Sequence, residues 1–354
     1  MNRILSLFDE QFVIDLFRRE VLPQYPNFKD ISRVVIRPYK NLVWETTYHV
    51  VLKFNTYFIR ANGAEVRLPL VCSAHSEEPR ENIFLVLKYL WAKDFPDESF
   101  AIPQPLFYSS YFHGTFYRGL EGENLLYYLK KRDWPAVNSI IAAAAGLYAK
   151  LHSLTVGAEA NFNPASTRLE TVIPGTAVIF REMGKRYDNK YNPDLEKIYH
   201  SFIAAEEKFF ASGQPLVLIH GDAHPENIIR TGEQRVGLID FTDFCLGDLA
   251  RDLGSFLQQL EYKILKKIGD AAYAAQAKEL FLSSYLAAAG RKLDADLQSR
   301  LDLYYNWTAM RTAIFWFLKF HPNAARAEEL LNQVKANLNL GSSLMKCGAG
   351  EGAI

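Results

Sequence analysis

The sequence predicts an α+β protein built in two lobes, a β-rich one first and a larger, mainly helical one after it. Three observations carry this expectation. Residues 31–75 are rich in Val, Ile, Tyr, Phe and Thr, in runs such as ISRVVIRPY, VWETTYHVVLKF and EVRLPLVCSA that read as strands. From about residue 118 onward, apolar residues recur at helical spacing in one segment after another. Among those helices one stretch, residues 216–244, returns to short β-like runs and concentrates His, Asp and Asn in its loops.

Composition narrows the classes of function. The chain has 354 residues, 49% hydrophobic and 23% charged, enough for one large or two ordinary domains with a sizeable core. Lys plus Arg and Asp plus Glu both number 40, a formal net charge of +0, so neither an extended nucleic-acid footprint nor an acidic tail is indicated. Cys72, Cys245 and Cys347 are far apart and lack CxxC spacing, which excludes a disulfide framework and a cysteine zinc site and makes the cytoplasm the expected location. Acids and Gln interrupt the first twenty residues, unlike a signal peptide. No run approaches the roughly 18 apolar residues of a spanning helix, so no membrane partner is expected. No pattern in the chain specifies an oligomeric state.

Each element follows from a local signal. Over residues 4–21 the positions Leu7, Phe8, Phe12, Leu16 and Phe17 lie near helical spacing, so an amphipathic helix opens the chain and Pro23 and Pro26 end it. Two adjacent strands follow between Ile31 and Phe58, joined by a turn at Lys40-Asn41. Asn62-Gly63 turns the chain into a third strand, EVRLPLVCSA. ENIFLVLKYLW reads as a helix with Ile83, Val86, Leu87 and Leu90 on one face. AIPQPLFYSSYFHGTFYRGLEGENL reads as two more strands and a Gly-punctuated connection. Then NSIIAAAAGLYAKLHSL, DLEKIYHSFIAAEEKFF, DLARDLGSFLQQLEYKI, residues 270–289 and LDLYYNWTAMRTAIFWFLKF all favour helix. The last of these has an aromatic stripe that reads as core rather than as a platform for a ring or cation. The expected divisions are residues 1–117, 118–340 and a flexible tail over 341–354.

The chemistry lies in LVLIHGDAHPENIIRTGEQRVGLIDFTDF. Leu216 to Ile219 lead into a loop with His220, Asp222, His224 and Asn227; Ile228-Ile229 and Val236 to Ile239 then form a hairpin that brings Asn227 to Asp240. Asp, Asn and a second Asp are oxygen ligands suited to hard Mg²⁺. Phosphoryl transfer from ATP needs those residue types: a carboxylate to accept the acceptor's hydroxyl proton, and an Asn and an Asp to hold ions between the phosphates. Asp222 precedes Asn227 by five positions, the Asp-x4-Asn spacing of kinase catalytic loops.

The words HGDAHPEN, LIDFTDF and GDLARDL resemble the aminoglycoside phosphotransferase and choline kinase superfamily, whose members share the two-lobe protein-kinase-like fold. LYAKLHSL at 147–154 and YRGLEGENL at 117–125 are similar to its helix and interlobe connector, so the resemblance runs from about residue 31 to 320, with its specific words in 216–253. It implies Asp222 as catalytic base, Asn227 and Asp240 as Mg²⁺ ligands, and Asp243 either as a further ligand or as a turn stabiliser. Residues Phe116, Tyr117, Arg118 and Gly119 are the implied adenine-binding connector. The implied activity is an ATP- and Mg²⁺-dependent kinase acting on a hydroxyl of a small molecule, with residues 1–117 as nucleotide-binding lobe and 118–340 as catalytic and substrate lobe. Only FTDFCLG separates Asp240 from the helix near Asp248, too short for the activation segment of protein kinases.

Two departures from the family pattern stand out. No glycine occurs between Ile31 and Ala61, so the first hairpin is not a Gly-rich phosphate cover, and the third-strand Lys is absent from RLPLVCSAHS. Lys53, Arg60, Arg67 and Arg80 are the substitutes, with Arg67 preferred because it lies in that strand; Glu81, Glu77 and Glu78 are candidates for the acid that pairs with such a cation. The missing Lys motivates one alternative, a nucleotide-binding pseudokinase or another ATP-using transferase on the same fold. From a different class, His220, His224, Asp222, Asp240 and Asp243 suggest a His/Asp metallohydrolase, although Gly221 and Pro225 make the segment a loop and such a site does not require Asn227. His220 is read as orienting the loop, Asp248 as a helix N-cap and Asp252 as hydrogen-bonding back to the loop.

Overall fold

The computed structural model describes residues 2–340; the tail expected over 341–354 lies outside the described residues. In chain order the elements are α1 (Glu10–Glu20), β1 (Phe28–Val43), β2 (Tyr48–Arg60), β3 (Glu65–His75), α2 (Glu81–Ala92), β4 (Phe100–Ala101), β5 (Gln104–Ser109), β6 (Gly114–Arg118), β7 (Glu123–Asn124), α3 (Leu125–Lys131) and α4 (Trp134–His152). They continue with α5 (Thr176–Tyr187), α6 (Asn192–Ala211), β8 (Val217–Ile219), β9 (Ile228–Arg230), β10 (Val236–Leu238), β11 (Cys245–Gly247), α7 (Leu249–Lys267), α8 (Ala271–Ala289), α9 (Ala295–Leu318) and α10 (Ala324–Asn337). The chain divides into two compact units: Met1–Leu151 with Val156–Asn163 and Glu226–Phe244, and His152–Thr155 with Pro164–Pro225 and Cys245 onward. Residue 117 thus falls inside the first unit. The cause is strand pairing: β10 joins β4 and β9 joins β7, which ties the late hairpin to residues 100–124.

In the first unit an antiparallel sheet runs β1-β2-β3-β6-β5. The opening helix is interrupted at Asp9, whose side chain accepts a hydrogen bond from the Phe12 N–H (2.7 Å) and caps α1. The first hairpin turns at 44–47, where the Trp44 N–H bonds the Thr47 carbonyl (2.9 Å), and not at Lys40-Asn41 as expected. Lys40 and Asn41 instead pair with Val51 and Val50, because a bulge between Pro38 and Lys40 carries β1 past the proline without ending its ladder. Period-2 alternation then assigns the two faces of the sheet. Leu52, Phe54, Phe58, Leu68, Leu70, Cys72 and Ala74 are buried with Val13, Leu16 and Phe17 of α1, and Phe17 meets the Phe54 ring edge-on at 5.2 Å. The opposite face carries Val51, Lys53, Arg67, Val71 and Ser73. A one-residue slip in register would bury the cations and expose the core.

A second sheet of the same unit has the order β4-β10-β9-β7. The second unit pairs β8 with β11 and packs α7 against β8. Asp248 caps α7 through the Ala250 N–H (3.0 Å), as expected. The aromatic stripe of α9 is core: Tyr304, Trp307, Met310 and Phe317 are at most 1% exposed. Among the described residues no helix is long and apolar enough to cross a membrane.

Candidate active site

A cleft of about 720 Å³ lies within the first unit, against the sheet face that α1 does not cover. One wall is Val51 and Lys53 of β2 with Arg67, Val71 and Ser73 of β3; Lys53 sits directly across the ladder from Val71. Another wall is the connector Gly119–Asn124, and a third is Asn227 and Asp240 at one end of the β9–β10 hairpin. That end is closed by the Ile239 N–H bonding the Asn227 carbonyl (3.1 Å), and both Asn227 and Asp240 line the cleft there. Gly122 has φ +138, and a Cβ there would stand 1.9 Å from the Arg230 carbonyl oxygen, so only glycine lets the connector pass so close to the hairpin.

Asp240 itself sits in the left-handed region at φ +65, a conformation that costs a non-glycine residue of order 1 kcal/mol and clusters at functional positions. The surrounding turn holds it there. Thr242 Oγ1 donates to Asp240 Oδ1 (2.8 Å), and the Thr242 carbonyl accepts from the amides of both Asn82 and Asn163 at 3.0 Å. Neither Asn stood out in the sequence, since each lies about 80 or more positions from Thr242 and belongs to no motif.

The two candidate cations are differently engaged. Arg67 is ion-paired to Glu121 and donates to Asn55 Oδ1 (3.2 Å). Lys53 has no carboxylate partner among the described residues, and its ammonium stands 5.9 Å from the Tyr39 ring centroid. Arg60, at the end of β2, and the buried Arg80, which pairs with Glu78 (3.2 Å), do not line the cleft; nor do Glu77, Glu78 and Glu81. His49 and His75 pair across β2 and β3 with ring centroids 4.6 Å apart, and burial with the nearby Lys40, Arg80 and His75 pushes His49 down to about 4. Of the connector residues expected, Tyr117 and Gly119 line the cleft. Phe116 does not: it is fully buried on the other face of β6, stacked on Phe107 at 4.3 Å. Arg118 is exposed and also outside it. Asp243 lies on the turn after Asp240, half-buried, away from the cleft lining.

Asp222 belongs to the second unit, in the loop after β8, and lines a separate cavity of about 420 Å³. Its loop is fastened from below by Asp252 of α7, whose carboxylate accepts from the His220 N–H (2.7 Å) and the Gly221 N–H (2.8 Å). His152 Nε2 lies 3.2 Å from Asp252 Oδ2, and His152 Nδ1 lies 2.9 Å from the Tyr285 hydroxyl. Arg251 donates to the carbonyls of Gly221 (3.3 Å) and Ser166. The role read for Asp252 therefore holds, while His152, inside the word LYAKLHSL, went unread. Burial raises the Asp222 pKa, but His224, by charge and by a 3.3 Å contact, with Arg311 and His220 behind it, outweighs burial and holds the carboxyl below its ordinary range. Asp222 is thus an ionised acceptor at neutral pH. Among the described residues no three His, Cys, Asp or Glu side chains converge on a metal position. The set named for a metallohydrolase is divided, with His220, Asp222 and His224 in the second unit and Asp240 and Asp243 in the first.

Comparison with known proteins bears on this arrangement. A family model described as a phosphotransferase enzyme family (APH) matches residues 45–298. A spectinomycin phosphotransferase solved with ADP and spectinomycin superposes with a TM-score of 0.54 at 14% identity, over 93% of this chain and 94% of that one. An ethanolamine kinase of Plasmodium vivax superposes with a TM-score of 0.53 at 14% identity, over 85% of this chain and 81% of that one. These likenesses establish the α+β, protein-kinase-like fold that the sequence predicts. A homoserine kinase of Rhodopseudomonas palustris is 33% identical over 115 residues, 31% of this chain. The match spans 33% of that relative's length, about a third.

Proposed function

The chain belongs to the phosphotransferase enzyme family, and from that membership we propose that it transfers the γ-phosphoryl group of ATP, with Mg²⁺, to a hydroxyl of a small molecule. The observation that carries the reading is the cleft of the first unit, where Asn227, Asp240 and Lys53, which has no carboxylate partner among the described residues, share one space with a glycine-bearing connector. Nucleotide use draws support from the related fold that holds ADP, and a small-molecule acceptor from relatives described as homoserine kinase and ethanolamine kinase.

The donor set fits the ion: an amide oxygen and a carboxylate, with Asp240 pinned by Thr242, are hard ligands, and no thiolate or imidazole lines the cleft. Bound there, Mg²⁺ would neutralise phosphate charge during transfer. The chain's own residues do the rest. The backbone of Phe116, Tyr117 and Arg118 is engaged by β3 on one side and β5 on the other, and the Gly119 N–H is bonded to the Pro69 carbonyl (2.8 Å), so adenine is read by the connector beyond them, from Leu120 to Gly122. Lys53 supplies a fixed positive charge to the phosphates in place of the missing third-strand Lys, since Arg67 is already committed to Glu121 and Asn55. Asp222 accepts the hydroxyl proton as the oxygen attacks phosphorus, and Asp252 holds its loop in place.

The test is ADP release from ATP by the purified chain against a panel of small alcohols, with and without Mg²⁺. Stimulation by an alcohol, dependent on Mg²⁺ and abolished in Asp222→Asn, is expected. Mg-nucleotide binding without transfer to any alcohol would favour the pseudokinase reading instead.

A further inference from the structure

The cavity that Asp222 lines in the second unit has an unusual charge balance. Its charged walls are Asp222 and His224 from the loop, Lys263 and Lys266 from α7, and Arg311 and Lys319 at and just beyond the C-terminal half of α9. Asp222 is the one carboxylate among those lining residues, and it is the group assigned to the proton. Among the described residues, Lys266, Arg311 and Lys319 pair with no carboxylate.

These cations are also positioned. Lys319 Nζ lies 3.8 Å and Lys266 Nζ 4.5 Å from the centroid of the Trp316 ring, with the Arg326 guanidinium of α10 at 4.7 Å from the same ring. Trp316 is held in turn, its indole N–H donating to the Tyr262 hydroxyl (2.8 Å). Arg311 stands 4.9 Å from the Trp307 ring and donates to the Ile173 carbonyl (3.2 Å). Burial and then Arg326, Lys267, Lys263 and Lys319, all positive, pull the Lys266 pKa down. Lys266, Arg311 and Lys319 outnumber the one carboxylate that lines the cavity with them, and an anion entering it relieves the repulsion among them.

Resting on the phosphotransferase reading, we propose that the alcohol phosphorylated here carries an anionic group, a carboxylate or a phosphate, received by Lys266, Arg311 and Lys319 while its hydroxyl is presented to Asp222. A cationic acceptor, an amino sugar or an amino alcohol, meets the opposite environment. It would need carboxylates or an open aromatic face, and the Trp316 face that could serve is already attended by lysines. The acceptor's phosphorylated oxygen changes from hydroxyl to phosphate ester, its proton passes to Asp222, and ADP leaves, so the step balances with ATP as sole co-reactant.

The experiment measures ADP release by the full chain with Mg-ATP and matched acceptors: glycerate against glycerol, glucose 6-phosphate against glucose, L-homoserine against its methyl ester, and ethanolamine as the cation. The member that bears the carboxylate or phosphate is expected to exceed the partner that lacks it in kcat/KM by about tenfold or more, and Lys266→Gln with Lys319→Gln to raise its KM about tenfold. Added salt should raise that KM as well. Preference for glycerate identifies a hydroxy acid and preference for glucose 6-phosphate a phosphorylated alcohol; either sustains the proposal. Equal or better use of glycerol, glucose or ethanolamine overturns it and leaves the kinase reading intact. Absence of Mg-ATP binding by calorimetry overturns the kinase reading and the proposal with it. If nucleotide binds but no alcohol turns over, titration of glycerate and of inorganic phosphate into the protein with Mg-ADP decides, and binding of neither overturns the proposal.

Discussion

Asp222 and Asp240 are both acids of short loops, yet their surroundings prepare them for different work. Asp222 faces His224, Arg311 and His220, which keep it ionised, whereas Asp240 is held in a left-handed conformation by the turn around Thr242. Asp222→Asn keeps the shape and removes the proposed base, so turnover should fall by about 10²–10⁴ while Mg-nucleotide affinity stays within a few-fold. Asp240→Ala should weaken Mg-dependent nucleotide binding itself. Calorimetric titration beside turnover assays of both variants separates the two, and near-normal turnover in Asp222→Asn would remove it from the mechanism. The cations make a second contrast. The sequence favours Arg67 because it lies in the third strand, and in the structure its neighbours Val66 and Leu68 pack into the core. Its ion pair with Glu121 and bond to Asn55 nevertheless occupy it, so Lys53→Ala should cost about 10²–10³ in single-turnover rate. Arg67→Ala, which removes a largely exposed pair, should change nucleotide affinity far less. The reverse ranking would return the role to Arg67.

At the scale of elements, the loop after β8 depends on a helix 30 residues downstream. Asp252 of α7 is 1% exposed and satisfies two consecutive backbone N–H groups and His152 at once. Burial pulls its pKa up, and His152 and His220 outweigh burial to keep it ionised. Removing it strands three buried donors, so Asp252→Ala should destabilise the protein by about 3–5 kcal/mol in denaturant titrations, against about 1 kcal/mol for an ordinary lost hydrogen bond. A cost below about 1 kcal/mol would mean that water or a shifted loop replaces the carboxylate. The sequence word GDLARDL held this residue because a helix that starts at Asp248 places Asp252 one turn inside it, back toward the strand it follows. His152 was not readable in the same way: its partners lie 100 and 133 positions away, and nothing local distinguishes it from any other helical His.

At the scale of the whole molecule, one buried acid sets a pH dependence that no motif announces. Glu206 of α6 is 2% exposed; burial raises its pKa to about 7, against a smaller lowering by the Leu169 N–H and Arg251. Its folded-state pKa lies above its ordinary 4.5, so the folded protein binds that proton more tightly than the unfolded chain. The contribution is fully favourable below about pH 4.5 and is lost as pH rises through about 7, a difference of about 3 kcal/mol from this group. Glu206→Gln keeps an oxygen for the Leu169 N–H and removes the ionisation. It should therefore be more stable than the parent at pH 8 and flatten the slope of unfolding free energy between pH 4.5 and 7; an unchanged slope would assign the dependence elsewhere.

What the sequence determined by itself was whatever is encoded within a few residues of chain: the alternation that separates the core face of β2 and β3 from the cation-bearing face, the cap of α7, and the words that hold Asp222, Asn227 and Asp240. Local backbone geometry reads those patterns directly, since period and spacing decide which side chains share a face. The tertiary structure alone decided which cation is ion-paired, because Arg67 meets Glu121 only when β3 lies beside the connector. It alone decided that Asn82 and Asn163 pin Thr242, that Gly122 must be glycine against Arg230, and that Lys266, Arg311 and Lys319 gather around one cavity. The physical reason is common to all of these. They are contacts between segments far apart in the chain, and charge or hydrogen bonding acts on distance in space, of which spacing in sequence carries no record.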